Sequence, residues 1–327
     1  MATGVETKTR PHPVRISGVP SLRVLVTGAD GFLGCHLLPR LLSRGHMVRA
    51  AHRGLSGAGE IAAPGVDWRI ADVLDPDSLI GLASECDCLI HLAGTDPAGL
   101  SDQTPGSGGS HAYAIGAANI ADEARRARIQ RLVLISALGS DKGNSSLLRD
   151  KYMAEEAIRA SRLDYVILRP SVICGPGDAF TSKLAALLWR LPVFPLLGDG
   201  RFDLQPVAVE DVVDALVQSV ERRDVSRSLF ELVGPDRIAF RQIVEIVGRT
   251  IGTRTPVLRL PAALAAPVTW LTRTLRRPYP MSPSQLHLLR AVGTAEGADN
   301  SLRTVFQVKP LPFEDVVQDY LVVQDYL

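Results

Sequence analysis

Three glycines follow the first strongly apolar run of the chain, LRVLV (22–26), within the sequence TGADGFLG. They stand at positions 28, 31 and 34, which gives the spacing G-x₂-G-x₂-G. Glycine permits a tight turn after a strand, a close approach of backbone to a pyrophosphate, and close packing of the next helix on the sheet. The N-terminus of that helix would then point backbone N–H groups at phosphate. The sequence therefore predicts a dinucleotide-binding turn at Gly28, Gly31 and Gly34.

The residues after the second predicted strand bear on which nicotinamide dinucleotide binds. An NAD site places an Asp or Glu there to bond the ribose 2′-hydroxyl, but residues 50–54, AAHRG, contain no acid. Arg53, with His52 beside it, suits a 2′-phosphate through charge-assisted hydrogen bonds. NADP(H) is therefore the favoured cofactor, and NAD(H) is the alternative. Asp72 and Val73, after the third predicted strand, are placed to contact the adenine.

Cys86, Cys88 and His91 stand close enough in sequence to raise the question of a metal site. Zinc sites usually need a second ligand pair at a matching spacing, and the sequence offers none. The alternative is that Cys86, Cys88 and Ile90 share one face of a buried strand, because free Cys packs as a small hydrophobe. We expect no metal and a reducing compartment.

These motifs lie on alternating strand-like and helix-like segments. Strands are predicted at 22–26, 47–51, 66–70, 88–93, 131–136, 164–169 and 228–233, and helices at 32–45, 77–83, 111–128, 146–161 and 239–252. Single helices between strands imply right-handed crossovers and a parallel sheet. The predicted fold class is α/β, a doubly wound parallel Rossmann sheet with a smaller C-terminal lobe for substrate or partner.

The length predicts about two domains, or one α/β domain with a large appended lobe, and the composition is that of a globular protein. The 327 residues are 46% hydrophobic and 22% charged, which excludes a disordered chain, and the net charge of +1 predicts no nucleic-acid partner. We expect a flexible tail (1–20), a NAD(P)-binding domain (21–175) whose sheet is completed by 205–235, and a C-terminal lobe (176–204 and 236–327).

One segment of the predicted lobe, 258–277, combines Leu, Val and Trp with Arg273, Arg276 and Arg277. It is similar to an interfacial membrane element, so we expect contact with a membrane or a membrane complex; the alternative is a proline-broken packing helix. No run is long enough to span a membrane, and the first twenty residues lack the apolar region of a signal peptide. The expected location is cytoplasmic, with the periphery of the inner membrane as an option. The chain ends on VVQDYL written twice (316–327), for which the sequence suggests no physical reason.

Six motifs occur in an order that resembles the extended and atypical short-chain dehydrogenase/reductase superfamily: TGADGFLG, HLAG (91–94), SALGS (136–140), LRPSVICGPGD (168–178), LLGDG (196–200) and QPVAVEDV (205–212). Within it the chain is most similar to the group related to the NDUFA-nine subunit of respiratory complex I. The resemblance implies NAD(P) binding on a Rossmann domain and, for several members, a structural or assembly role. The cofactor contacts it implies, with those predicted above, are Gly28, Asp30, Gly31, Phe32, Leu33, Gly34, His52, Arg53, Asp72, Val73, Leu92, Ala93, Gly94, Ser136, Lys151, Pro170 and Val172.

Active members of this superfamily use Ser, Tyr and Lys, with the Tyr four residues before the Lys on the same face of a helix. The ammonium lowers the pKa of the phenol, which can then transfer a proton near neutral pH. Ser136 and Lys151 match this pattern, but Leu147 stands where the Tyr is needed. Tyr152 lies about 100° around the helix from Lys151. Lys151 can still bond the nicotinamide ribose.

Two classes of function follow. Without the Tyr, the chain is predicted to be an NADP(H)-binding structural, assembly or regulatory component of a respiratory or quinone-related complex. The alternative is an oxidoreductase or epimerase/dehydratase acting on an apolar, quinone- or isoprenoid-like or sugar-nucleotide substrate. Its proton donor would be Tyr113, which stands where active relatives often have Asn, or His111 or Tyr152. Each of these side chains could instead be part of the core or of an interface.

Overall fold

The computed structural model describes residues 20–54, 64–94, 111–142, 145–197, 200–260, 288–291, 293–295 and 300–321. The strands are β1 Arg23–Thr27, β2 Met47–His52, β3 Val66–Ile70, β4 Cys88–His91, β5 Arg131–Ile135, β6 Tyr165–Pro170, β7 Ile173–Cys174, β8 Phe194–Leu197, β9 Asp203–Leu204, β10 Val207–Ala208, β11 Ser228–Leu232, β12 Ile238–Ala239 and β13 Val257–Leu260. The helices are α1 Phe32–Ser43, α2 Ala112–Arg126, α3 Ser146–Ala160, α4 Ala179–Arg190, α5 Val209–Glu221, α6 Phe240–Thr250, α7 Ser301–Thr304 and α8 Phe313–Tyr320.

Seven parallel strands form the central sheet in the order β3-β2-β1-β4-β5-β6-β11. The strand order reverses between β1 and β4, and ligands of open α/β sheets bind at the carboxyl ends of the strands beside such a reversal. The α/β class and the doubly wound parallel Rossmann sheet predicted from the sequence are confirmed. Three two-stranded sheets (β7–β10, β9–β12 and β8–β13) lie outside it in the described part of the chain.

Helices cover both faces of this sheet. Leu37 of α1 and Leu216 of α5 belong to the core on one face, whereas Ile120 of α2 and Ile158 of α3 belong to the core on the other. The central strands β4 and β5 are therefore buried along their whole length, as their continuous apolar sequences predict. A separate apolar core joins α4, α6 and α8 in the C-terminal part of the chain.

Two local expectations differ from the structure. The predicted helix 77–83 is a 3₁₀ helix, Pro76–Leu79, followed by turns. Cys86 precedes β4 and packs with the α2/α3 core, while Cys88 and Ile90 belong to the α1/α5 core, so Cys86 does not share their face. The strand begins only at Cys88, so the two-residue alternation assumed for the pair does not reach Cys86.

Several predicted segments lie outside the described residues: 1–19 of the tail, 261–277 of the predicted contact segment, and 322–327, the second VVQDYL. The first VVQDYL copy supplies the end of α8. Within the described ranges, each helix is too short or too polar to cross a lipid bilayer.

Candidate functional site

The turn after β1 has the backbone geometry that its glycines predict. Gly28 has φ +69°, and a Cβ built on it would lie 2.7 Å from the Ala93 Cα on the neighbouring strand end. A Cβ on Gly34 would lie 2.1 Å from the carbonyl oxygen of Ala29, so α1 packs directly on the turn. Only glycine fits at either position. The turn thus brings Gly28 beside Leu92–Gly94, as a dinucleotide site at this strand reversal requires.

The N-terminus of α1 is open for an anion. Gly31 is its N-cap residue, no side chain caps it within the described residues, and its first turn holds no acid. The backbone N–H groups of Phe32, Leu33 and Gly34 therefore present the positive end of the helix dipole to the turn. Buried Leu33 anchors the helix in the core, whereas Asp30 is exposed beside it. This end of the helix fits a pyrophosphate.

His52 and Arg53 have different surroundings at the end of β2. The His52 ring is buried, accepts a hydrogen bond from the Gly54 N–H at 3.0 Å, and packs edge-on against Trp68. Arg53 is exposed and forms no ion pair within the described residues. Arg53, rather than His52, is therefore the side chain that can reach a ligand from this strand end.

Asp72 and Val73 form a fixed turn after β3. The Asp72 carboxylate accepts a hydrogen bond from the Leu74 N–H at 2.9 Å. The Val73 carbonyl accepts one from the Asn119 amide at 3.0 Å, which ties the turn to α2. Both residues are partly exposed, so the end of β3 still has room for the adenine ring of a dinucleotide.

Lys151, Tyr113 and Gly94 meet at the other end of the site. Lys151 is 1% exposed, and its Nζ lies 4.5 Å from the centre of the Tyr113 ring. A Cβ on Gly94, which has φ +80°, would lie 2.8 Å from the same ring. Asp150 accepts hydrogen bonds from the Tyr113 and Ala114 N–H groups, so α3 caps the start of α2 and holds Tyr113 in place.

The other aromatic and imidazole candidates lie apart from this contact. Tyr152 is 38% exposed. His111 is exposed in the left-handed backbone region at the start of α2, with Nδ1 3.9 Å from an Asp150 carboxylate oxygen. Leu147 is half-buried and packs against the apolar core shared by α4, α6 and α8. The position at which the sequence predicts that the phenol is missing thus packs against an apolar cluster.

Ser136 belongs to a buried polar network that the sequence did not suggest. Its hydroxyl donates to Glu155 Oε1 at 2.5 Å, and Ser140 donates to the same oxygen. Arg169 bonds both Glu155 oxygens, at 2.8 and 2.7 Å. Burial opposes ionisation of Glu155, but the hydrogen bonds from Arg169 and Ser136 outweigh it and hold the pKa of that carboxyl below its usual value. The signals in the sequence are a Glu one helical turn after Lys151 and an Arg at a strand end.

Pro170, the last residue of β6, and Val172 just after it are held in place by backbone hydrogen bonds. The Pro170 carbonyl accepts from the Leu138 N–H at 3.0 Å, and the Val172 carbonyl accepts from the Val207 N–H at 2.9 Å. Deeper in the sheet, His91 Nδ1 lies 2.7 Å from the Thr27 hydroxyl. Burial, and secondly the charge of Lys151, lower the pKa of His91 to about 4, so this ring is neutral at physiological pH.

An open cavity of about 970 Å³ lies elsewhere, between α6 and residues 253–257 and 312–315. None of the predicted site residues lines it. The glycine turn at the strand reversal is the better ligand site, because its backbone shape and helix dipole suit a particular ligand.

The strand order, the glycine turn and the open helix terminus together define a dinucleotide-binding Rossmann protein. Residues 28–183 match the family described as NAD(P)H-binding. An NADH dehydrogenase (ubiquinone) 1 alpha subcomplex subunit 9, mitochondrial, from Arabidopsis thaliana is 26% identical over 92% of this chain and 79% of its own length. A ceramide reductase from Caulobacter vibrioides is 31% identical over 73% of each chain.

Among solved structures, an NADPH-dependent quinone oxidoreductase from Escherichia coli, complexed with NADPH, superposes with a TM-score of 0.70. It is 18% identical, and the match covers 90% of this chain and 98% of the other. This likeness shows the shared fold. The chain belongs to the NAD(P)H-binding family of extended and atypical short-chain dehydrogenases/reductases, and is related to the NDUFA-nine subunits of complex I.

Proposed function

We propose that this protein binds NADP(H) in the turn between β1 and α1 and serves as a structural, assembly or regulatory component of a respiratory or quinone-related complex. The observation that carries the proposal is Leu147, a half-buried apolar side chain packed against a core at the position where an active relative needs a phenol. The bound dinucleotide would stabilise the fold by mass action.

The cofactor contacts follow from the shape of the site. Gly28 and Gly34 leave room for backbone to approach the pyrophosphate, and the α1 N-terminus would hold its charge. Arg53 would bind the 2′-phosphate, since no acid stands at 50–54. Lys151 would bond the nicotinamide ribose hydroxyls. The dinucleotide, when bound, can donate or accept a hydride through its nicotinamide ring.

The preference for NADP(H) has a direct test. Arg53→Ala should weaken NADPH binding about ten- to hundredfold, because a charge-assisted hydrogen bond is worth about 1.5–3 kcal/mol, and should leave NADH binding nearly unchanged. Arg69→Ala is the matched control, because Arg69 is an exposed arginine on β3 that pairs with Asp67. Calorimetric titration of both cofactors measures this; equal wild-type affinities, or tighter NADH, would contradict the assignment.

The proton-transfer half of the standard mechanism lacks two donors. Leu147 has no proton to give. The Ser136 hydroxyl donates its proton to the Glu155 carboxylate, so in this arrangement it cannot also donate to a substrate carbonyl. Of Ser136, Leu147 and Lys151, only Lys151 keeps its role, which is to bind the cofactor. These contacts support binding without standard reductase chemistry.

Association with a larger assembly is supported by the relatives named as subunits of NADH dehydrogenase. We assign the contact to 258–277, of which 258–260 lies within the described residues, and place the protein at the periphery of the inner membrane. Native electrophoresis of gently solubilised membranes tests the role. Co-migration with a large complex, together with dinucleotide in the purified protein by native mass spectrometry, is expected; a chain found only as a free species without dinucleotide would refute the proposal.

A second candidate function is favoured by the contact between Tyr113 and Lys151. The Lys151 ammonium lies 4.5 Å from the centre of the Tyr113 ring, so a phenol that can donate a proton is supplied here from α2 rather than α3. The protein would then be a reductase of an apolar carbonyl compound, as the name of the ceramide reductase relative suggests. Carbonyl reduction that is lost in Tyr113→Phe while NADPH binding persists would favour this function.

A further inference from the structure

One stretch of this chain carries a large net positive charge, because it contains no acid. Residues 246–295 contain seven arginines and neither Asp nor Glu, although the whole chain has a net charge of only +1. Such asymmetry points to an anionic partner rather than to a solvated surface of mixed charge.

The described part of this stretch lies against exposed apolar side chains. Trp189 and Val193 flank the end of α4, and Leu258 lies on β13; they are 36, 39 and 54% exposed. Hydrogen bonds join the two segments, from the Thr255 hydroxyl to the Leu188 carbonyl at 2.6 Å and from the Phe194 N–H to the Pro256 carbonyl at 2.9 Å. Leu258 pairs with Pro195 in the β8–β13 sheet. The three side chains therefore belong to neighbouring surface segments.

Exposed arginines lie on the same two segments as these three side chains. Arg190, Arg254 and Arg259 are exposed on the same two segments, and residues 179–197 and 253–260 contain no acid. Acids of other elements do lie nearby, because Asp236, Glu245, Glu314 and Asp315 line the cavity beside α6. Arg254 and Val257 line that cavity with these acids, whereas Arg190, Leu258 and Arg259 do not. We call Trp189, Arg190, Val193, Leu258 and Arg259 the docking patch.

We propose that the docking patch binds an anionic lipid bilayer. Exposed Trp and aliphatic side chains enter the boundary between headgroups and acyl chains, and arginines around them bind anionic headgroups. A nucleic acid would match the arginines but gives exposed Val and Leu side chains no role. The inference rests on the peripheral membrane location in the proposed function and names the surface and the partner.

Flotation of the full-length protein with lipid vesicles tests it. Binding to vesicles of equimolar phosphatidylglycerol and phosphatidylcholine is expected at low salt, with weaker binding at high salt and to phosphatidylcholine alone. Arg259→Ser should weaken binding about fivefold, and Trp189→Glu with Leu258→Glu at least tenfold. Ile80→Glu is the matched control, since Ile80 is 67% exposed on another element, and it should bind like wild type.

The outcomes separate this inference from the proposed function. All variants should keep wild-type NADPH affinity, because none changes a residue of the glycine turn. Absence of flotation, or flotation unchanged by the Trp189 and Leu258 substitutions, overturns the docking patch while NADPH binding still tests the cofactor site. Displacement of the protein from vesicles by RNA, with equal RNA binding by the Trp189/Leu258 variant, would assign the arginines to a nucleic acid instead.

Discussion

Glu155 is the buried anion around which the polar side chains of β5, β6 and α3 are arranged. Removing its main partner should be costly, because the remaining charge stays buried without compensation. We expect Arg169→Met to lower the free energy of unfolding by about 3–5 kcal/mol. Arg159→Met removes a more exposed partner of the same carboxylate and should cost about 1 kcal/mol or less. Urea unfolding measures both, and equal small losses would contradict the role of Glu155.

His91 should make folding stability depend on pH above the range where carboxylates titrate. Its pKa falls from about 6.5 in the unfolded chain to about 4 in the fold, so between these values only the unfolded chain binds the proton. The contribution of His91 to the free energy of unfolding is therefore fully present above about pH 6.5. It is lost as the pH falls towards 4, and the loss amounts to about 3 kcal/mol. His91→Gln should flatten the upper part of this slope in urea unfolding measured at several pH values. An unchanged slope would mean that His91 is protonated in the fold.

Local spacing predicted the turn at the glycines, whereas the roles given to Lys151 and Leu147 rest on the same spacing and stay predictions. It did not predict the bond between Ser136 and Glu155, which forms only when α3 packs on the end of β5. The ring contact of Tyr113 likewise depends on two helices meeting. Such contacts join positions distant in sequence, so periodicity carries no information about them.

Among the helices, α1 has the least room for an added side-chain atom, at Gly34. We expect Gly34→Ala to destabilise the protein by about 1–3 kcal/mol and to weaken dinucleotide binding, because the new methyl would overlap the Ala29 carbonyl. Gly248→Ala is the control on α6, where the nearest atom to the new methyl is 3.7 Å away and alanine favours the helix. Thermal unfolding and NADPH titration of both variants measure this. Equal behaviour of the two would show that α1 can move from the turn without loss.

Helix and strand positions could be predicted well where apolar periodicity was strong, as for β1, β5 and α3. The start of α2 illustrates the limit. Its capping oxygens come from Asp150, a residue of another helix, instead of from a side chain at its own N-terminus. The predicted helix 77–83 fails for a related reason, since after the 3₁₀ turn the chain bends at Gly81, which has φ +77°.

At the scale of the whole molecule, the alternation of elements predicted the sheet, but the C-terminal residues that approach its edge could not be predicted. A Cβ on Gly139, after β5, would lie 2.5 Å from the Ala291 carbonyl oxygen, and the Gln205 N–H donates to the Gly293 carbonyl at 2.7 Å. Residues 288–291 and 293–295 thus lie against the ends of the strands beside the site. These contacts join residues that are far apart in sequence, so a local sequence pattern cannot predict them.

The central claim is that the fold retains a dinucleotide site while the standard proton donors are absent. Its most direct test is NADPH oxidation, followed by absorbance of the reduced nicotinamide, with a panel of quinones, ketones and nucleotide sugars. Wild type should bind NADPH without measurable turnover, since loss of a positioned general acid costs about 10²–10⁴ in rate. Leu147→Tyr should raise the rate if a carbonyl substrate enters, and Leu147→Phe is its matched control. Robust wild-type turnover that disappears in Tyr113→Phe with NADPH binding intact would contradict the claim.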